Sequence, residues 1–244
     1  MISPIDILPW DSRVFGRRIA RYKGTVLTPT LARAAIKACL AQRAKCLYFL
    51  ASSNDVRSIG CAETHGFRLV DIRVTLARDL EAEPLALAAS GGQAAAYRPA
   101  HADDIPALKR LAKSLFLHSR FALDPGFPAD AHEKLFAEWV AKSVRGRFDD
   151  WVGVAEIRGR LAGFVSCRKT GRGAGAIGLV GVARSFRRRG LGRALVDQGL
   201  GWFRVRRIRH VSVVTQGRAI GAQRLYQACG FRTSRVDLWY HKWF

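Results

Sequence analysis

The sequence predicts an α/β protein, with a mixed β-sheet and helices on both faces of the sheet. Short apolar or alternating runs recur along the chain, Ala-rich amphipathic segments separate them, and Gly-containing turns join them. Hydrophobic residues make up 49% of the 244 positions, which is enough to build a core and excludes bulk disorder. A chain of this length suits one large domain or two small ones.

The first 78 residues predict a small unit of their own. The elements expected in it are a hairpin at residues 13–26, an Ala-rich helix at 31–44, a buried strand at 46–51, a weak helix at 55–64 and a half-buried strand at 67–76. Residues 79–95, DLEAEPLALAASGGQAA, lack strand alternation and end in flexible residues, which predicts a linker.

Residues 96–244 predict a second, larger unit. Its expected elements are a strand ending at Pro99, a helix capped by Asp103 or Asp104, a helix at 129–144, two strands at 151–157 and 161–168 joined by a tight turn, a strand at 177–183, a helix at 190–206, a strand at 211–215, a helix at 219–228 and a strand at 231–243. The order predicts a mixed sheet.

One sequence pattern, which we call the internal echo, occurs in both units. AETHGFRLVDIRVTL near residue 70 and LYQACGFRTSRVDLWY near residue 230 both combine a helix, the tripeptide Gly-Phe-Arg and a strand. We therefore expect residues 1–78 to be a truncated relative of residues 96–244.

The formal net charge of +22, from 41 Lys and Arg against 19 Asp and Glu, favours polyanionic partners. Nucleic acid, an anionic membrane and phosphorylated small molecules all fit that charge, and a GC-rich genome gives the same arginine bias. No run approaches the roughly 20 apolar residues of a membrane span. The N-terminus lacks the pattern of a signal peptide, which predicts a cytoplasmic protein.

The cysteines and histidines predict no metal site. Five cysteines are scattered without a CxxC pair, which excludes a zinc ribbon and argues against a disulfide scaffold. Six histidines never occur at ligand spacing.

A loop between a strand and a helix carries the pattern Arg187-x-x-Gly190-x-Gly192. The first-turn N–H groups of a helix lack intrahelical partners and carry the positive end of its dipole. Glycines let an anion approach that backbone closely, and the arginines around the loop add positive charge. The pattern indicates a pyrophosphate site, with a glycine turn flanked by solvated arginines as the structural alternative.

A second motif follows one strand and one helix later, in QRLYQACGF from residue 223. Tyr226 falls near the end of a helix that stops at Gly230, a usual position for a terminating glycine. The structural alternative is a tyrosine that only packs in the core.

These two motifs, in this order and spacing, resemble the GNAT superfamily of acyl-CoA-dependent N-acetyltransferases over residues 96–244. The resemblance implies the GNAT fold, acetyl-CoA as co-substrate and Tyr226 as the general acid that protonates the departing thiolate. It implies cofactor contacts from Val180, Gly181, Val182, Arg187, Arg188, Arg189, Gly190, Leu191, Gly192 and Arg193. Many members have Asn seven residues before the tyrosine, where this chain has Ala219.

A narrower resemblance covers nearly the whole chain. LPWDSRVFGRRIARY, HSRFALDPGFP and the C-terminal VVTQGRAIGAQRLYQACGFRTSRVDLWYHKWF are similar to the dTDP-fucosamine acetyltransferase group. That group acetylates the 4-amino group of a dTDP-4-amino-4,6-dideoxyhexose, a nucleotide sugar, and also carries a reduced N-terminal domain. The resemblance implies substrate contacts from His118, Arg120 and Asp124, with Arg120 on the diphosphate.

Several alternatives stay open. The base that deprotonates the amine is Glu156, His118, Asp124 or a water chain. The acceptor is otherwise a protein or another small-molecule amine, and a non-catalytic module that binds nucleic acid is the alternative from another class. The aromatic C-terminus WYHKWF suits a strand interface in a homodimer.

Overall fold

A computed structural model describes residues 3–81 and 95–244. The predicted linker therefore lies largely outside the described residues. The strands are β1 Ile5–Ile7, β2 Ile19–Tyr22, β3 Cys46–Ser52, β4 Arg68–Asp79, β5 Ala96–Pro99, β6 Trp151–Ile157, β7 Arg160–Gly171, β8 Ala174–Val182, β9 His210–Gln216 and β10 Arg232–Trp243. The helices are α1 Pro9–Phe15, α2 Pro29–Ala41, α3 Val56–Thr64, α4 Ile105–Lys113, α5 Arg120–Leu123, α6 Ala131–Val144, α7 Leu191–Val205 and α8 Ile220–Ala228.

The strands of the described residues form one sheet in the order β1-β2-β3-β10-β4-β9-β8-β7-β6-β5. Most neighbours are antiparallel, whereas β2 and β3, and β8 and β9, are parallel. The prediction of an α/β fold with a mixed sheet is therefore confirmed.

The two segments of the chain share this sheet through β4. This strand lies between β9 and β10, and it pairs antiparallel with both of them. The last strand of the chain, β10, also pairs with β3. One strand from residues 1–81, β4, thus lies between the last two strands of the larger segment, and β1, β2 and β3 extend the sheet beyond β10.

The internal echo places its two copies side by side. Gly66 follows α3 and Gly230 follows α8, and both have positive φ angles, of 77° and 81°. Glycine suits this left-handed conformation because it lacks a Cβ. The strands that follow, β4 and β10, pair with each other, with Val74 opposite Val236.

Helices cover both faces of the sheet. Helices α7 and α8 pack in one apolar cluster, and α2 and α3 pack in another. Helices α1, α4 and α6 pack in a third cluster, which α5 joins through Phe121. The third cluster includes Leu179 of β8 and borders Trp239 of β10, so it spans the middle of the sheet.

One predicted element was wrong. The expected hairpin at residues 13–26 is absent, because α1 occupies Pro9–Phe15 and only Ile19–Tyr22 is a strand in that range. Pro9 lies at the start of α1, where its missing N–H costs nothing, and Gly16 ends the helix with φ 63°. The strand β2 instead pairs with β1, which precedes α1. The other predicted helices and strands are present with shifted ends.

Candidate active site

A gap opens between the parallel strands β8 and β9. They pair only over Ala174–Ile177 of β8. At the same level the pairing of β8 with β7 shifts register, because Val180 lies opposite Val165 whereas Ile177 lies opposite Cys167. This irregularity is typical of a β-bulge, which bends a strand and interrupts its ladder. The C-terminal half of β8 therefore diverges from β9 and does not pair with it.

The backbone of β8 offers hydrogen-bond donors to this gap. The amide of Ala183 donates to the carbonyl of Ala162 at 2.8 Å, so it points to β7. Because the N–H groups of successive strand residues point to opposite sides, the amides of Val182 and Val180 point away from β7. The Val182 carbonyl agrees with this, since it accepts a hydrogen bond from Arg187 Nε at 3.0 Å.

The first turn of α7 lies just beyond the end of β8. Gly190 caps α7 with φ 76° and has no side chain to occupy the first amides. The first intrahelical bond runs from the Ala194 amide to the Gly190 carbonyl at 3.1 Å. The amides of Leu191, Gly192 and Arg193 precede that bond and carry the positive end of the helix dipole. The Leu191 side chain is buried, so only its backbone is available at this turn.

The rim of this turn is strongly basic. The arginines at positions 184, 187, 188, 189 and 193 all have exposed side chains. Arg187 joins the loop to β8, and Arg193 lies 3.9 Å from Asp197 on the next turn of α7. An anion at the turn would therefore meet both backbone N–H groups and guanidinium groups.

Tyr226 lies in α8, on the same face of the sheet as α7. Its side chain is 6% exposed and packs edge-to-face on Phe231, with ring centroids 6.0 Å apart. The surrounding cluster is bordered by Val180 and Val182 of the gap. Burial, with a smaller contribution from Cys229, raises the pKa of the Tyr226 phenol, so the phenol stays neutral and can donate a hydrogen bond.

The start of α8 differs from the common GNAT pattern. Ala219 is the N-cap residue and makes no side-chain cap. The side chain of Gln223 instead donates from Nε2 to the carbonyls of Gln216 and Gly217, at 3.0 Å and 2.8 Å. This amide fixes the β9–α8 loop without an asparagine at position 219.

The three predicted substrate residues occupy different environments. His118 is exposed. The Arg120 guanidinium is buried between aromatic rings, with Nε and Nη1 lacking partners. Asp124 Oδ2 accepts hydrogen bonds from His241 at 2.5 Å and from Trp243 at 3.0 Å. The structure therefore buries Asp124 and two guanidinium nitrogens of the half-buried Arg120, and it leaves His118 at the surface.

The carboxyl group of Asp124 is held by hydrogen bonds from other groups of the protein. Burial tends to raise the pKa of its carboxyl, but hydrogen bonds from His241, the Gly126 amide and Trp243 outweigh burial and lower it. Glu156, another base candidate, lies 2.6 Å from Arg98, which also pairs with Asp104 at 2.7 Å. The carboxylates of the two base candidates, Asp124 and Glu156, thus both have protein partners.

One contact between the two segments of the chain is not evident from the sequence. Arg78 of β4 is buried, and its Nη1 donates to the carbonyl of Cys229, just after α8. A cation at the C-terminal end of a helix is stabilising. Arg78 thereby helps to hold the helix that carries Tyr226. The signal available in the sequence was an arginine at the end of a strand face that is otherwise apolar.

No group of three or more His, Cys, Asp or Glu residues that could hold a metal ion occurs in residues 3–81 and 95–244. Within the same ranges, every helix is too short or too polar to cross a membrane.

Comparison with known families identifies the chain as an acetyltransferase. A model of the acetyltransferase (GNAT) family matches residues 114–231, which include the β8–α7 loop and Tyr226. The chain therefore carries a GNAT acetyltransferase domain and is an acyl-CoA-dependent N-acetyltransferase. The resemblance to the GNAT superfamily inferred from the two motifs is confirmed.

Particular relatives extend this match. The dTDP-fucosamine acetyltransferase of Escherichia coli O6:H1 is 28% identical over 98% of each chain. The spore coat polysaccharide biosynthesis protein SpsD of Bacillus subtilis is 26% identical over 59% of this chain and 50% of its own. Among solved structures, a GCN5-related N-acetyltransferase from Sphaerobacter thermophilus has a TM-score of 0.70 and 20% identity, covering 98% of this chain and 76% of its own.

Proposed function

We propose that this enzyme transfers acetyl from acetyl-CoA to the 4-amino group of a dTDP-4-amino-4,6-dideoxyhexose, in the synthesis of a surface polysaccharide. One observation carries this proposal: the similarity to the E. coli dTDP-fucosamine acetyltransferase runs along 98% of both chains, including the N-terminal segment. The match to a spore coat polysaccharide protein supports the same class of pathway.

In this proposal acetyl-CoA lies in the gap between β8 and β9. The amides of Val180 and Val182 hydrogen-bond its pantetheine arm and thioester carbonyl. Gly181 lies between them, where a Cβ would meet Leu115 Cδ1 at 2.5 Å and Phe164 Cε1 at 2.6 Å. The first-turn amides of α7 bind the pyrophosphate, together with the arginines of the loop. Two features support acetyl-CoA at this site: backbone donors point into the gap, and the start of α7 carries no capping side chain.

Tyr226 is proposed as the general acid. The neutral acceptor nitrogen attacks the thioester carbon, the C–N bond forms and the C–S bond breaks. The leaving sulfur takes the phenolic proton, and the proton that the new amide nitrogen releases returns to the phenolate through water. A buried phenol whose pKa is raised remains protonated until the thiolate charge develops. Its place in the cluster bordered by Val180 and Val182 supports this role.

The segment around α5 is proposed to face the acceptor. Arg120 supplies donors to it, Asp124 shapes the wall through His241 and Trp243, and His118 lies at the entrance. The carboxylates of Glu156 and Asp124 are engaged with protein donors, which favours a water chain as the path for the amine proton.

An acceptor screen tests the substrate. Purified enzyme, acetyl-CoA and a panel of amines are incubated, and release of free thiol is followed. We expect turnover with dTDP-4-amino-4,6-dideoxyhexoses, and little with lysine peptides, polyamines or aminoglycosides. Turnover with a peptide or polyamine, and none with the nucleotide sugars, would reject this substrate and favour a different GNAT acceptor.

A further inference from the structure

A buried group of polar side chains lies between the two segments of the chain, on the face of the sheet that carries α1, α5 and α6. We call it the Arg120 cluster; its members are Tyr48 of β3, Asp71 of β4, Arg120 of α5, Trp239 of β10 and His241 of β10. Residues 1–81 supply Tyr48 and Asp71, whereas the larger segment supplies the rest.

Several polar atoms of this cluster are buried without a hydrogen-bond partner. They are Arg120 Nε, Arg120 Nη1, Tyr48 Oη and His241 Nε2. The side chain of Tyr48 is 1% exposed, and the guanidinium nitrogens named here are inaccessible to solvent. Buried polar groups are nearly always paired, so four unpaired atoms in one cluster call for a partner that the described residues do not supply.

Aromatic rings hold the Arg120 guanidinium in place. Its central carbon lies 3.8 Å from the Trp239 ring centroid, 4.5 Å from that of Phe121 and 4.6 Å from that of Tyr48. The Tyr48 ring stacks in turn on His241, with centroids 4.5 Å apart. The orientation of the donors is therefore fixed before any ligand binds, which lowers the entropy cost of binding.

The nearest charges balance Arg120 only at a distance. In residues 3–81 and 95–244 no carboxylate oxygen lies within 4.0 Å of the guanidinium, although Asp11 and Asp71 both act on it electrostatically. Burial raises the pKa of Asp71 to about 6. The cluster thus combines donors from Arg120 and Tyr48, an acceptor from Asp71 and the edge of a half-buried Trp239.

We propose that the Arg120 cluster binds the hydroxylated ring of the acceptor sugar. Ring hydroxyls donate to carboxylates and accept from guanidinium and phenol groups, and the apolar face of a sugar ring packs on aromatic side chains. This inference rests on the proposed nucleotide-sugar function. It assigns the N-terminal segment a direct part in substrate recognition through Tyr48 and Asp71.

A pair of tyrosine variants tests the proposal. Tyr48→Phe removes a buried hydroxyl that has no protein partner, so it should leave the melting temperature unchanged or higher. The same variant should raise the KM for the nucleotide sugar about five- to tenfold, the effect of one lost hydrogen bond, and leave the KM for acetyl-CoA unchanged.

The matched control is Tyr240→Phe. Tyr240 lies on the adjacent strand and the opposite face, and its hydroxyl donates to Glu63 at 2.9 Å. Its loss should lower the melting temperature and leave the sugar KM within about twofold of wild type. Arg120→Gln should raise the sugar KM further than Tyr48→Phe does.

The outcomes separate the two proposals. Wild-type enzyme that does not acetylate the nucleotide sugar rejects the substrate, and with it a sugar in the cluster. Wild-type enzyme that acetylates the sugar, with Tyr48→Phe and Arg120→Gln both keeping the wild-type KM in folded form, overturns the assignment of the cluster alone.

Discussion

Arg187 Nε donates a hydrogen bond to the Val182 carbonyl at 3.0 Å, which ties the basic loop to the open end of β8. The loop precedes α7, whose first amides have no capping side chain, and β8 is the strand whose amides point into the gap. One side chain thus fixes the position of the proposed pyrophosphate site relative to the proposed thioester site. Both groups of donors are held in place by the fold.

A pair of substitutions at Gly192 tests the pyrophosphate site. A Cβ at this position would meet Leu225 Cδ2 at 3.3 Å, a contact that a flexible side chain can relieve. Gly192→Ala adds this Cβ alone and should change acetyl-CoA affinity by less than about threefold. Gly192→Asp adds the same carbon and a negative charge, and should weaken binding at least about tenfold by calorimetry. Equal effects of the two variants would reject a role for charge.

Removing the Tyr226 hydroxyl tests the general acid. Tyr226→Phe keeps the packing on Phe231, so acetyl-CoA affinity and melting temperature should stay near wild type. We expect kcat to fall by roughly 10² to 10⁴, the range that a positioned acid supplies, with a smaller change in KM. Steady-state kinetics of the folded variant measure this, and a kcat within about threefold of wild type would remove Tyr226 from the mechanism.

Acid should destabilise the enzyme through His241. Burial lowers the pKa of His241 to about 4, whereas an unfolded histidine titrates near 6.5. This contribution to stability is therefore complete above about pH 6.5 and is lost as the pH falls toward 4, a loss of up to about 3 kcal/mol. His241→Gln should flatten the dependence of the unfolding free energy between pH 7 and 4.5, and His118→Gln, at an exposed position, should not.

The proposed division of the chain into a unit at 1–78 and a catalytic unit at 96–244 has a structural consequence. Without β4, the strands β9 and β10 lose their shared neighbour and Arg78 no longer reaches the end of α8. We expect residues 96–244 expressed alone to show no cooperative thermal unfolding, and co-expressed residues 1–81 to restore it. A cooperative transition of the isolated unit would show that it folds independently.

Local sequence signals identified most elements and the glycines of the loop. Hydrophobic periodicity located the helix of Tyr226, and the pattern from Arg187 to Gly192 located the turn before α7. Such signals depend on neighbours along the chain, which a single sequence displays directly.

Long-range pairing could not be read in the same way. The alternation of apolar and polar residues in β4 indicates which face of the strand is buried. It does not indicate that β4 pairs with β9 and β10, because several partner strands are compatible with the same alternation. The Arg120 cluster needs residues separated by almost two hundred positions, such as Tyr48 and Trp239. The sequence predicts a hairpin at residues 13–26, whereas Gly16 ends the helix α1 in the structure.

Hydrogen–deuterium exchange resolved to single amides reports where acyl-CoA binds, and it therefore tests the gap between β8 and β9 as the cofactor site. The enzyme is compared with and without saturating acetyl-CoA. We expect slower exchange at the amides of Val180 and Val182 and at the first-turn amides Leu191, Gly192 and Arg193, because these donors would be engaged by the ligand. Tight acetyl-CoA binding that leaves the exchange of these five amides unchanged, with protection elsewhere, would contradict this assignment.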